Sequence, residues 1–279
     1  MMVPPIVERT MKKLCSSLRK RNVKIESVHV YGSIALGDFI EGSSDIDFIA
    51  ILSEPHTMSD IAAITMAHEE VENAFPQTDI MGDYLLKRDL GKAQSDIQSP
   101  LTYFNKQVYT DGRGSDLNPV TWWILKKHGI TVYGPSQPLD FEVDENMLMN
   151  YVIGNLNTYW KSWIDRLEEQ MNVHHLSDEE HVTRQLDEAV EWCTLGMLRQ
   201  LYTIKEHDIK SKVEAGFYGI RTVPERWHGL IYEAINIKRL LPERFYYSNE
   251  KRLTDLLALL RYIHAEANTV FDEQGARLT

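Results

Sequence analysis

Tyr31-Gly-Ser-Ile-Ala-Leu-Gly-Asp-Phe-Ile-Glu-Gly-Ser-Ser-Asp-Ile-Asp-Phe-Ile-Ala-Ile-Leu52 is the stretch on which the reading of this chain turns. A β-rich run, Val28 to Tyr31, ends in Gly32-Ser33, and after a polar turn the chain re-enters an apolar strand headed by Asp45-Ile46-Asp47. Side chains two apart on a strand point the same way, so Asp45 and Asp47 share a face while Ile46 turns into the core. Two carboxylates held that close raise one another's pKa unless a cation sits between them. Oxygen ligands at the mouth of a sheet suit Mg²⁺, which takes its remaining ligands from water and substrate phosphates. The Gly32-Ser33 corner supplies the other half of such a site: glycine lets a backbone approach a phosphate, and free N–H groups at a helix start favour an anion.

Outward from this stretch, Ile6 to Arg21 carries Val7, Met11, Leu14, Cys15 and Leu18 on one helical stripe with basic residues in its last turns. Ile25 to Tyr31 and Ile46 to Leu52 are strands, the second apolar enough to be central. Met58 to Phe75 is a one-sided helix stopped by Pro76. Thr78 to Leu86 reads as a third strand with Asp79 and Asp83 at even spacing, hence on one face. Asp79, nearer the strand start, is the expected third carboxylate beside Asp45 and Asp47, as general base or as metal ligand. Asp83, after Gly82, is expected to be a solvated residue near a bulge. Leu101 to Tyr109 is a further strand. Asn118-Pro119 opens a helix that Gly129 ends, and Ile130 to Tyr133 runs into the turn Gly134-Pro135-Ser136.

Beyond Asp144 strand-like alternation gives way to helical stripes. A boundary is expected there, with domains over 1–143 and 144–279. Met147 to Met171 reads as one long helix, Ser177-Asp178-Glu179-Glu180 as a capping box opening a helix to about Ile204, and Lys212 to Tyr218 as a short helix. Further helices start at Pro224 and Ser248. Five amphipathic stretches on short loops read as a helical bundle. The expected fold class is α+β: a mixed sheet with helices, followed by an α-helical domain.

At 279 residues with a formal net charge of −11, the chain is a poor match for a nucleic-acid polymer, whose binding calls for a basic stripe. Acidic walls suit a small cationic substrate instead. No long apolar run suggests a membrane span, and the opening Met-Met-Val-Pro-Pro lacks a signal peptide's regions, so a cytosolic location is expected. Cys15 and Cys193 sit in apolar helical contexts as buried thiols. His174, His175 and His181 read as a solvated loop rather than a zinc site.

The Gly32-Ser33 corner followed by Asp45-x-Asp47 at the head of a strand resembles the signature of the DNA polymerase β-like nucleotidyltransferase superfamily. Membership implies that paired aspartates bind Mg²⁺ on the triphosphate of ATP, and that an acceptor hydroxyl displaces pyrophosphate. With a helical domain following, the chain looks like the aminoglycoside adenylyltransferases that modify streptomycin and spectinomycin, on Val28-His-Val-Tyr-Gly-Ser33, Ser44-Asp-Ile-Asp47 and the exit Ile130 to Pro135. The resemblance puts that family's presumed catalytic base on Asp79, Asp here instead of Glu. Its phosphate-binding Arg and Lys fall on Arg199 and Lys212. Its substrate-facing acid falls on Ala189, flanked by Asp187, Glu188 and Glu191, and its stacking Trp has Phe104 as nearest counterpart. The resemblance therefore implies ATP and a small aminoglycoside-like acceptor as partners, with no nucleic acid and no membrane. An acceptor that is a protein side chain or another metabolite, and a nucleotide-binding regulator without turnover, are the competing readings.

Overall fold

The structure, a computed structural model, describes residues 3–98, 100–136, 138–171 and 179–277. The chain divides into two compact units, one ending at Asp144 and the other beginning at Glu145. His174, His175 and the Ser177 cap lie outside the described residues, as does the side chain of His181.

In the first unit α1 (Pro5–Lys20) starts on Pro5, whose missing N–H costs nothing in a first turn. Its stripe of Val7, Met11, Leu14 and Leu18 is fully buried, and α3 (Met58–Ala74), opened by a reciprocal Thr57/Asp60 capping box, adds Ile64, Ala67 and Val71 to the same core. Glu70 on α3 clamps the pair together by accepting from Lys13, Ser17 and Arg21 of the α1 segment. These helices pack on a sheet of β1 (Ile25–Val30), β2 (Ile46–Leu52), β3 (Ile80–Leu86), β4 (Leu101–Phe104), β5 (Gln107–Tyr109) and β6 (Ile130–Tyr133). The strand order is β5-β4-β3-β2-β1-β6; β2 and β3 are parallel and the other neighbours antiparallel. The sheet is mixed, and the fold is α+β as the sequence led us to expect.

Register decides what meets at the sheet's two faces. Ile46, Phe48, Ala50 and Leu52 of β2 enter the core with α1 and α3, so Asp47 and Ile49 face the other way. β3 pairs with β2 without a break from Ile46↔Ile80 to Leu52↔Leu86, which sets Asp47 against Met81 and Ile49 against Asp83. Asp83 thus lies on the Asp47 face, and the bulge expected beside it is not there. Gly82 is what the pairing requires: a Cβ at this position would come within 2.4 Å of both the Phe48 ring and its carbonyl. The single strand expected over 101–109 is instead a hairpin, turned by Asn105 and Lys106 at φ 49° and 62°. Two successive left-handed residues make the tight turn that suits strand twist, though the pair lacks the usual glycine.

In the second unit the helix expected over 147–171 is α5 (Glu145–Asn155) and α6 (Lys161–Met171), joined through a wider π-type turn at Leu156–Trp160. α7 (Glu179–Glu206) packs against α8 (Lys212–Thr222), α9 (His228–Lys238) and α10 (Asn249–Arg277). Ser211 caps α8 by accepting from the Glu214 N–H at 3.1 Å. A buried ion network holds the α9–α10 connection. Glu233, fully buried, accepts from the N–H groups of Phe245 (2.5 Å) and Tyr246 (3.2 Å) and pairs with Arg252, which reaches Asp187 at 2.6 Å. Cys15 and Cys193 are buried, and burial pushes both thiols up to about 12, which leaves them inert. Among the described residues no helix is long and apolar enough to cross a membrane.

Candidate active site

The corner expected to receive a phosphate forms as the short helix α2 (Gly32–Ala35) at the end of β1. Tyr31 N–H donates to the Asp47 carbonyl at 3.1 Å, which stitches the corner to the head of β2. Gly32 sits at φ +58°, and a Cβ there would stand 1.9 Å from Oδ2 of Asp47, so only glycine lets this backbone lie against that carboxylate. The Ser33 hydroxyl is buried without a hydrogen-bond partner, a polar group that a ligand oxygen would satisfy.

The negative charges of four carboxylates act on the buried Tyr31. Its ionisation is pushed far up, first by burial and then by Asp47, Asp83, Asp116 and Asp45. Asp83 is only 2 % exposed and its pKa is pushed up to about 6, mainly by burial, with the charge of Asp116 adding to it. The Thr102 hydroxyl donates to its Oδ1 at 2.7 Å and works in the opposite direction. The Ser115 hydroxyl is close enough to help, but lies outside hydrogen-bond geometry. Asp116 is fixed by the α4 (Pro119–His128) cap: Asn118 Nδ2 donates to its carboxylate at 2.6 Å while Asn118 Oδ1 accepts from the Val120 N–H at 2.9 Å.

Asp79, the expected third acid, lies one residue ahead of β3. Its carbonyl accepts from the Ile46 N–H at 2.8 Å, immediately before β3. Its charge acts on Tyr103, together with Glu72 and Glu69 of α3. Among the described residues no three His, Cys, Asp or Glu side chains converge as a metal cage. Asp45 and Asp47 stand at the head of β2 as oxygen donors. That chemistry fits Mg²⁺, which is commonly held by one or two carboxylates plus substrate phosphates.

In the second unit Arg199 of α7 and Lys212 at the start of α8 are brought together. Lys212 Nζ pairs with Glu191 at 3.0 Å and lies over the Trp192 ring at 4.2 Å. Burial lowers its pKa; Glu191 raises it, and the nearby charges of Arg199 and Lys238 lower it further. Ala189 is buried in α7, Asp187 is spent on Arg244 and Arg252, and Phe104 at the end of β4 is 38 % exposed. A cavity of about 40 Å³ opens beside Glu26, Ser27, His29, Lys87 and Pro135, with room for a water or two; none of the aspartates named above lines it.

Asp116 and Thr102 were missed from the sequence. Asp83 had a signal, an acid inside the otherwise apolar run Ile80-Met-Gly-Asp-Tyr-Leu-Leu86, which a solvated residue does not explain.

Comparison with known families places both halves. Residues 10–97 match the nucleotidyltransferase domain family, and residues 160–260 match the aminoglycoside adenylyltransferase C-terminal domain. Among solved structures, the crystal structure of spectinomycin adenyltransferase AAD(9) from Enterococcus faecialis with ATP and spectinomycin shares the fold. Its TM-score is 0.61 over 93 % of this chain and 98 % of that one, at 15 % identity. No curated protein matches.

Proposed function

The chain joins a nucleotidyltransferase domain to the C-terminal domain of the aminoglycoside adenylyltransferases, and from that premise we propose that it transfers AMP from ATP to a hydroxyl of a small cationic acceptor such as spectinomycin or an aminoglycoside. The observation that carries this reading is the Asp47 carboxylate lying against the Gly32 backbone, beside the unpartnered Ser33 hydroxyl.

Asp45 and Asp47 would hold Mg²⁺, which supplies charge neutralisation for the triphosphate. The α2 corner and the Ser33 hydroxyl receive phosphate oxygens, and Gly32 permits their close approach. Arg199 and Lys212 are the phosphate-binding cations that the family resemblance implies, Lys212 being paired with Glu191. Asp83 takes the place first assigned to Asp79. Its raised pKa leaves it ionised at neutral pH yet basic enough to take the proton of the attacking hydroxyl, a task worth about 10²–10⁴-fold. As that proton moves to Asp83, the acceptor oxygen bonds to the α-phosphorus and the bond to pyrophosphate breaks. In this reading the 1–143 domain carries the carboxylates, and the 144–279 domain carries Arg199 and Lys212. The four acids whose charges act on Tyr31 make the region attractive to an ammonium-bearing acceptor.

The test is pyrophosphate release from ATP and Mg²⁺ across a panel of spectinomycin, streptomycin and other aminoglycosides, with Asp47→Asn as the inactive control. Release that requires one of these acceptors is the expected outcome. Release only with a protein or another metabolite, or none with any acceptor, overturns the reading.

A further inference from the structure

Thr102 lies directly opposite Asp83 in the antiparallel β3–β4 ladder, and the two side chains rise from the same sheet face. Thr102 is fully buried and Asp83 nearly so, and the Thr102 Oγ1 hydroxyl donates to Asp83 Oδ1 at 2.7 Å. The pairs on either side are Gly82↔Tyr103 and Tyr84↔Leu101, whose large side chains are buried in the opposite face of the sheet, so the ladder at this point is anchored. Threonine is β-branched and stiff at χ1, which makes its hydroxyl a donor fixed in place rather than one that must be ordered. The charge recorded beside Asp83 is negative, from Asp116, and a repelling neighbour pushes a carboxylate without orienting it.

We propose that Thr102 is a positioning residue for the transfer reaction, engaging one oxygen of the Asp83 carboxylate so that the other is presented to the acceptor hydroxyl. This rests on the reading of Asp83 as the base. A carboxylate turning freely about its last torsion would offer its lone pairs in the productive direction only part of the time, and transfer rates fall steeply with such misplacement. The hydroxyl also favours the ionised, working form of the acid.

The test uses the full chain, ATP and the acceptor selected by the panel, with kcat and the KM for ATP measured separately. Thr102→Val keeps the shape and removes the donor; kcat is expected to fall about 10–100-fold while KM for ATP stays within about twofold. Thr102→Ser restores a hydroxyl and is expected to recover kcat to within about threefold of wild type. If Thr102→Val does not fold, Thr102→Cys, a weak donor of similar size, replaces it with an intermediate kcat expected. A Val variant with wild-type kcat overturns the proposal. So do equal losses in the Val and Ser variants, which mark a packing role, and a loss confined to KM. Asp83→Asn runs alongside: if it is fully active, the base assignment itself fails, whereas an inactive Asp83→Asn beside an active Thr102→Val removes only Thr102.

Discussion

Replacing Gly32 with alanine puts the tightest contact of the candidate site under direct strain. The added Cβ would lie 1.9 Å from Asp47 Oδ2, where real Cβ atoms do not approach within 3.0 Å, so the carboxylate or the α2 corner must retreat by about 1 Å, the shortfall between those distances. Misplacement of that size at a reacting centre costs about 100-fold in rate, or about 2.7 kcal/mol of transition-state stabilisation. The backbone adds its own strain, because alanine at φ +58° costs roughly 1–2 kcal/mol. For a unit of this size that strain corresponds to a fall in Tm of about 2–8 °C. Pyrophosphate release at saturating ATP measures the first effect and a thermal melt the second. A double-mutant cycle separates them: in an Asp47→Ala background the nearest remaining atom of residue 47 is its Cβ at 3.3 Å, so most of the collision is gone while the backbone strain stays. Gly32→Ala should therefore cost less stability in that background than in wild type. Equal stability losses in the two backgrounds, or full turnover in the single variant, would refute the account.

The two acids of the β3 segment should behave oppositely. Asp83→Asn is expected to lower kcat by about 10²–10⁴-fold, and Asp79→Asn to stay within about threefold; steady-state rates in the reverse order would restore Asp79 as the base. Lys212→Met should weaken ATP binding by about 10–100-fold, the worth of one charged hydrogen bond; titration calorimetry giving an unchanged Kd would remove Lys212 from the nucleotide site. Stability should also fall with acid because of His68, whose buried ring accepts or donates to Tyr84 at 2.7 Å, stacks on Tyr103, and has its pKa pushed down to about 3 by burial. Between pH 6.5 and 3 the unfolded chain takes up a proton that the folded chain refuses, so this group withdraws about 1.4 kcal/mol per pH unit as pH drops through that window. Melts of His68→Gln between pH 6.5 and 4.5 should show a shallower acid slope than wild type, and an unchanged slope would place the effect elsewhere.

Periodicity and punctuation made most of the architecture readable. The strand from Ile46 to Leu52 is where the apolar run put it, the Asn118-Pro119 cap starts its helix at Pro119, and the stripes beyond Asp144 are helices. Local sequence carries such signals because a helix or strand buries one face whatever lies opposite. The Asn105-Lys106 turn escaped because left-handed residues without glycine leave no mark in composition. The widened turn at Leu156–Trp160 escaped because one extra residue per turn barely disturbs a helical stripe. At the site, spacing gave Asp79 and Asp83 the same parity and favoured Asp79; the β2–β3 register and the Thr102 hydroxyl put Asp83 inside the sheet, while Asp79 lies just before β3. Asp116 is a loop residue whose importance comes from tertiary folding alone.

The sheet's two margins carry unequal hazards. β5, at one border, is three residues long and too brief to recruit a foreign strand, whereas β1 is shielded only by β6, a ribbon drawn from the stretch just before Asp144. A fragment trimmed short of Ile130 would bare the backbone of β1, with Val28 and Val30 at full apolar strength, as a template for aggregation. One carried through to Asp144 would keep that flank sealed.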